Sequence, residues 1–126
     1  MRYLLDTHIY LWWLNNDKRL KATIRKIISD SNNIIYLSCA SAWEISIKLK
    51  TNPEFKIRSP VLDYFEQSNF EILSITLNHI FELHKLPTYH KDPFDRILIS
   101  QAQAENLTLI TSDQKIWRYK ISLLKA

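Results

Sequence analysis

The sequence predicts an α/β protein built around a central, mainly parallel β-sheet. Three observations lead there. Short apolar runs recur at Tyr3–Leu5, Ile34–Leu37, Ile72–Ile75, Leu107–Ile110 and Ile121–Leu124. They are apolar nearly throughout instead of alternating, as strands covered on both faces are. Helically spaced segments separate them, and such alternation of strand and helix favours a sheet with helical crossovers.

The elements follow in order. The first strand ends at Asp6, and Ile9 to Leu14 opens a helix. Leu20 to Ser29 reads as a second helix. After Ile34–Leu37, the run Ser41-Ala42-Trp43-Glu44 has the form of a capping box, starting a helix that reaches about Lys50. Ser59-Pro60 is an N-cap with proline at the first helical position, followed by Val61, Leu62 and Phe65 at helical spacing. Leu77, Ile80, Phe81 and His84 keep that spacing until Pro87. Asp92-Pro93 starts a last helix, running to about Glu105. The chain has no glycine, so positions of positive φ fall to Asn or Asp. Asn69 and Asn106, each between a helical and a strand-like stretch, are the expected helix C-caps.

A length of 126 residues fits one domain, 1–126, and can bury a core without disulfides or a structural metal. At 46% hydrophobic and 24% charged, the composition is that of a soluble globular protein. The longest apolar run, Ile9 to Leu14, is too short to span a bilayer. No basic leader with a long apolar stretch precedes Tyr3-Leu4-Leu5, and a cytoplasmic location is expected. Cys39 is the only cysteine, which excludes an internal disulfide and a thiolate metal cluster. The net charge of +4 is compatible with a polyanionic partner without requiring one. Its densest group, Lys18, Arg19, Lys21, Arg25 and Lys26, reads equally well as a solvated helix face.

In a parallel sheet every strand-to-helix junction lies at one edge, where ligands bind. Asp6 follows the first strand, Glu44 opens the helix after the second, and Asp113 follows the Leu107–Ile110 strand. Asp95 lies in the first turn of the preceding helix, and that helix must dock so as to bring it to the same edge. At 100° per residue, Asp95 falls in the middle of the arc carrying Leu98, Ile99 and Ala102, while Arg96, Ser100 and Gln103 form the polar arc. An acid in an apolar stripe is costly to bury uncompensated. Each acid has a structural alternative. Asp6 and Asp113 can be helix N-caps, Asp95 can be the third residue of a helix capped by Asp92, and Glu44 can close a box with Ser41 or pair with Lys48. Asp92 is adequately explained as an N-cap, and is expected to stand behind the four acids or to meet the substrate, not to hold the metal. Arg96 reads as solvated, and the four histidines show no metal-binding spacing, although His90 lies near enough to Asp92 to touch a substrate.

Four carboxylates meeting at one edge would repel unless a cation neutralised them. Oxygen donors without Cys or His favour Mg2+ or Mn2+ over zinc. Such a site, with Thr7 and Ser112 as nearby hydroxyl donors, is suited to phosphodiester hydrolysis. The neighbouring pair Trp12-Trp13 points in directions about 100° apart, so one of the two is a candidate for a dimer or partner groove.

Four short patterns stand in order along the chain. They are Leu4-Leu5-Asp6-Thr7-His8 with Leu11-Trp12-Trp13-Leu14, then Ser41-Ala42-Trp43-Glu44-Ile45, then His90-Lys91-Asp92-Pro93-Phe94-Asp95-Arg96, then Leu109-Ile110-Thr111-Ser112-Asp113. In these the chain resembles, over essentially its whole length, the PIN-domain ribonucleases, and among them the VapC-like toxins of type II toxin–antitoxin systems. The resemblance implies a PIN-like three-layer sandwich with Asp6, Glu44, Asp95 and Asp113 as the catalytic, metal-holding acids, and it assigns Glu44, which the residues alone leave open. It also implies Mg2+ or Mn2+, an RNA substrate, a homodimer and a cognate antitoxin. Similar sequences tend to carry glycine where this chain has Asn69 and Asn106. The alternatives are a non-catalytic RNA-binding or scaffold domain, a solitary RNA-processing enzyme, or a DNA nuclease. A phospho-accepting receiver domain is disfavoured, because Leu5-Asp6-Thr7 lacks the paired acids and the short tail lacks the lysine.

Overall fold

A computed structural model describes residues 1–55, 57, 63, 65, 66 and 68–126. The helix expected after Ser59-Pro60 lies largely outside them. Five strands form one sheet: β1 (Arg2–Leu5), β2 (Ile34–Ser38), β3 (Glu71–Leu73), β4 (Thr108–Thr111) and β5 (Leu123–Lys125). Their order is β3-β2-β1-β4-β5, and every pairing is parallel. The helices are α1 (Thr7–Leu14), α2 (Ala22–Ser29), α3 (Cys39–Thr51), α4 (Leu77–His84) and α5 (Pro93–Ala104), with a 3-10 turn at Ile116–Arg118.

Alternate side chains of a strand face opposite sides of the sheet, and the core divides accordingly. Tyr3, Leu5, Ile35, Leu37 and Ile110 pack with Ile9, Tyr10, Ile24 and Ile28 of α1 and α2. Leu4 and Leu109 pack on the other side with Ile97, Leu98, Ile99 and Ala102 of α5. The result is the three-layer α/β sandwich that the sequence predicts. β3 departs from that expectation. Although apolar, it is an edge strand, and Ile72 is 46% exposed.

The strand order reverses at β1. From there the chain builds outward through β2 and β3 on one side, and through β4 and β5 on the other. Crevices at such reversals, outside the carboxyl ends of the strands, are where open α/β sheets hold ligands. Register sets Leu5 opposite Ile110, so the segments leaving β1 and β4 emerge side by side. A cleft of about 590 Å³ lined by Trp13, Asp30, Asn33, Ile34, Phe70 and Glu71 lies toward the opposite edge, and none of the candidate acids borders it.

Several local expectations need correction. The N-cap of α3 is Ser38, whose hydroxyl accepts from Ala40 N at 3.0 Å, so Ser41 and Glu44 lie inside the helix and form no capping box. β5 begins two residues later than the apolar run suggests, because pairing with β4 starts at Leu109 and Leu123. Among the described residues positive φ falls on Asn106 (55°) and on Asn16 (50°), whereas Asn69 is not among them. Asn106 closes the turn from α5 into β4, with Leu107 N bonded back to Ala102 O at 2.9 Å. Asn106→Gly should therefore leave stability within about 0.5 kcal/mol, while Asn106→Ala should lose about 1 kcal/mol. Urea denaturation compares them, and equal midpoints for the two variants would contradict the assignment.

Candidate active site

Asp6 is the first residue beyond β1, where extended backbone (φ −61°, ψ 149°) makes it the N-cap of α1. One oxygen, Oδ1, accepts from His8 N at 3.1 Å, and Oδ2 accepts from the Thr111 hydroxyl at 2.5 Å. The residue is 2% exposed. Burial drives its carboxyl above the usual range and nearby Glu44 adds to the rise, against the opposing pull of the Thr111 and His8 hydrogen bonds.

Glu44 sits in the second turn of α3, buried. Lys48 Nζ approaches its Oε2 at 3.6 Å, the pairing expected four residues along a helix. Its Oε1 is buried and has no hydrogen-bond partner among the described residues. A carboxylate oxygen cut off from water without a donor is strongly unfavourable, and a cation supplies what it lacks.

Asp95 is carried in by α5. Asp92 Oδ1 caps that helix, accepting from Phe94 N at 2.8 Å and Asp95 N at 3.3 Å, with Pro93 in the first turn. Leu98, Ile99 and Ala102 lie flat against the sheet, so the same stripe turns Asp95 toward the crevice. Asp95 does not return a bond to Asp92 N, which donates instead to His90 Nδ1 at 3.1 Å. Its pKa is pushed up to about 8, first by burial and then by the charges of Asp6, Asp92, Glu44 and Asp113. Those repulsions mean that the four predicted acids share one electrostatic neighbourhood.

Asp113 follows β4 and stands at the mouth, its side chain 33% exposed. Its backbone N donates to Thr111 Oγ1 at 3.1 Å, and Oδ1 accepts from Lys115 N at 2.9 Å. Thr111, the last residue of β4, therefore ties Asp6 and Asp113 together.

The remaining predicted residues are placed as follows. The Thr7 hydroxyl is buried and paired with Ser41 Oγ at 2.8 Å. Ser112 is half-buried between Thr111 and Asp113. Asp92 reaches the acids through its cap of α5 and through its charge. Arg96 is not solvated as its helical arc suggests. Its guanidinium donates to Pro87 O at 2.8 Å, His90 O at 3.2 Å and Tyr119 Oη at 3.3 Å, and to Leu83 O and Leu86 O at 3.4 Å. Trp12 and Trp13 are both half-buried, the first beneath Arg19 at 5.0 Å and the second against Phe70.

Thr111 was not picked out by the sequence, although a hydroxyl ending a buried strand just before an acid is a signal. His90, expected at most to touch a substrate, stands among the acids instead. Its Nε2 lies 3.0 Å from Asp95 Oδ2 and 2.8 Å from Asp113 Oδ2. These three residues offer ligand atoms within 4.8 Å of one another.

A parallel sheet whose order reverses beside a crevice lined by buried acids defines an α/β protein with a carboxylate site at its carboxyl edge. The PIN domain family model matches residues 3–121, and the chain belongs to that family. It is 24% identical over 116 residues to ribonuclease VapC22 of Mycobacterium tuberculosis, covering 90% of this chain and 88% of that one. Its fold resembles the crystal structure of VapBC2 from Rickettsia felis bound to a DNA fragment from their promoter, with a TM-score of 0.77 and 24% identity over 99% and 98% of the two chains. It also resembles FitAcB from Neisseria gonorrhoeae, with a TM-score of 0.68 and 19% identity over 99% and 97%. A toxin-antitoxin complex from Klebsiella pneumoniae aligns with a TM-score of 0.67 and 20% identity over 98% and 96%.

The raised Asp95 has a measurable consequence. Unfolded, Asp95 titrates near its ordinary 3.8; folded and metal-free, it titrates at about 8. Between those values the folded state holds the extra proton, so this group's contribution makes stability fall as pH rises. Asp95→Asn has no proton to lose. In EDTA the variant should melt on the order of 5 °C above the parent near pH 8.5, with the gap closing toward about pH 4. Parallel melting curves across that range would show that the acids are not coupled as described.

Proposed function

We propose that this chain is a divalent-metal-dependent endoribonuclease and the toxin of a type II toxin–antitoxin pair. The observation that carries the reading is that Asp6, Glu44 and Asp113 all press on the buried Asp95, while Glu44 Oε1 is buried with no hydrogen-bond partner among the described residues. Membership of the PIN family and likeness to ribonuclease VapC22 support RNA as the substrate class. The similar solved toxin–antitoxin structures support an antitoxin partner. The homodimer rests on the family resemblance alone. No helix among the described residues is long and apolar enough to cross a membrane.

Asp6, Glu44, Asp95 and Asp113 would hold Mg2+ or Mn2+, hard cations that favour oxygen donors. Such an ion, when bound, polarises phosphate oxygens and makes water a nucleophile near neutral pH. The protein's own part is to place the acids. Thr111 fixes the Asp6 carboxylate, Asp92 and the N-terminus of α5 fix Asp95, and Lys48 lies against Glu44. The first turns of α1 and α5 direct backbone N–H groups and the positive ends of their dipoles toward the site. Asp95 would give up its proton on holding such an ion, so uptake would be coupled to proton release. The 2′-hydroxyl has no role in this scheme, so the products carry 5′-phosphate and 3′-hydroxyl ends.

Asp6→Asn and Asp95→Asn should each reduce Mg2+-dependent cleavage of single-stranded RNA by at least about a thousandfold while the fold is kept. End-group analysis and circular dichroism check both halves. Full turnover in both variants, or 2′,3′-cyclic phosphate products, would refute the mechanism. Equal cleavage of DNA would redirect the substrate assignment to a DNA nuclease.

A further inference from the structure

The cluster of His90, Asp95 and Asp113 has the spacing of a three-ligand metal site, but the hydrogen bonds around His90 argue against that use. A neutral imidazole has one protonated nitrogen and one acceptor. His90 Nδ1 receives the Asp92 backbone N–H at 3.1 Å, so Nδ1 is the acceptor and the proton resides on Nε2. That Nε2–H faces Asp95 Oδ2 and Asp113 Oδ2 at 3.0 and 2.8 Å. For Nε2 to give its lone pair to a cation, the proton would have to move to Nδ1, where it would collide with the Asp92 N–H.

The ring is also held firmly. His90 N donates to Tyr119 Oη at 3.0 Å, and His90 O accepts from Arg96 Nη1 at 3.2 Å. Tyr119 Oη itself donates to Pro87 O at 2.7 Å, closing the loop that carries the histidine. Tyr119 and Arg96 thus anchor His90 on both sides, and its side chain is only 9% exposed.

We propose that His90 is a positioning residue and not a metal ligand. Fixed as the Nε2–H tautomer, it bonds one oxygen of Asp113 and holds one oxygen of Asp95 3.0 Å away, setting the separation of two acids borne on different elements. The second oxygen of Asp113 is taken by Lys115 N, so both oxygens of Asp113, like both of Asp6, are engaged by the protein. Glu44 Oε1 has no such donor. The role builds on the proposed metal-dependent site, and the assignment of His90 can be tested separately from that site.

Imidazole nitrogen NMR of the metal-free protein should show His90 protonated at Nε2 and not at Nδ1, and the proton should remain there at saturating Mg2+. A proton on Nδ1, or loss of the Nε2 proton as Mg2+ binds, would overturn the proposal. Failure of Mg2+ to bind at all, followed through the Asp and Glu carboxyl carbons, would instead sink the proposed function, and the metal-free spectrum would still decide the tautomer. Two variants separate the ring's nitrogens. His90→Gln keeps a donor near the Nε2 position, and His90→Asn keeps an acceptor near Nδ1. By calorimetry, Gln should hold Mg2+ affinity within about threefold, while Asn should weaken it about tenfold or more, as loss of an outer hydrogen bond to metal-holding groups does. Rescue by Asn equal to or better than rescue by Gln would mean that the loop contact, not the donor, is what matters. If neither variant folds, the spectra of the parent protein decide.

Discussion

Carboxylates held close together and away from water raise one another's pKa, and much of this structure is arranged around that repulsion. Asp95, driven up to about 8, feels it most, because burial and the charges of Asp6, Asp92, Glu44 and Asp113 all act on it. The topology leaves little freedom to avoid the encounter. With β1 beside β4 and both parallel, the residues that leave them emerge side by side at one edge. The docking of α5 through Leu98, Ile99 and Ala102 then brings a third acid to the same place.

The protein tempers the repulsion with donors placed at the rim. Thr111 gives its hydroxyl proton to Asp6, His90 Nε2 bonds Asp113 and lies 3.0 Å from Asp95 Oδ2, and backbone N–H groups reach Asp6 and Asp113. Glu44 Oε1 is the exception, a buried oxygen for which the described residues supply no donor. A protein that only needed stability would gain from filling that vacancy with a hydrogen-bond donor or replacing the acid with an apolar residue. A site meant to hold a hard cation needs an acceptor left open. The distribution of donors therefore separates oxygens engaged by the fold from oxygens open to an ion.

Much of the fold was legible because parallel sheets write themselves in short apolar runs. The angular position of Asp95 among Leu98, Ile99 and Ala102 was likewise readable before its burial was seen. The parts that were not readable depend on contacts between distant segments. Ser38 was hidden as an N-cap because it also ends a strand, so the next serines, at Ser41, drew the helix start inward. Apolarity in β3 was read as burial on both faces, but an edge strand is covered on fewer sides. Arg96 points into what a helical projection calls solvent, yet the loop from Leu83 to His90 folds over it and offers five acceptors with Tyr119. The direction of the His90 ring depends on that same loop and on Tyr119, far along the chain, and no spacing rule encodes it.

In these acids a capping role and a role in the site do not exclude each other. A carboxylate has two oxygens with separate lone pairs. Asp6 caps α1 with Oδ1 while Oδ2 turns to Thr111, and Asp113 receives Lys115 N on one oxygen while the other meets His90. Capping fixes the rotamer and draws the positive end of a helix toward the charge, and both effects favour an ionised acid in a buried crevice. An acid that ends a strand and opens a helix is thus stabilised by the same backbone groups that aim it at the site. A capping pattern at the carboxyl edge of a parallel sheet is therefore weak evidence against chemistry there. What discriminates is whether a buried oxygen remains without any donor, and among the described residues of this cluster that oxygen is on Glu44, the acid whose expected capping box is not formed.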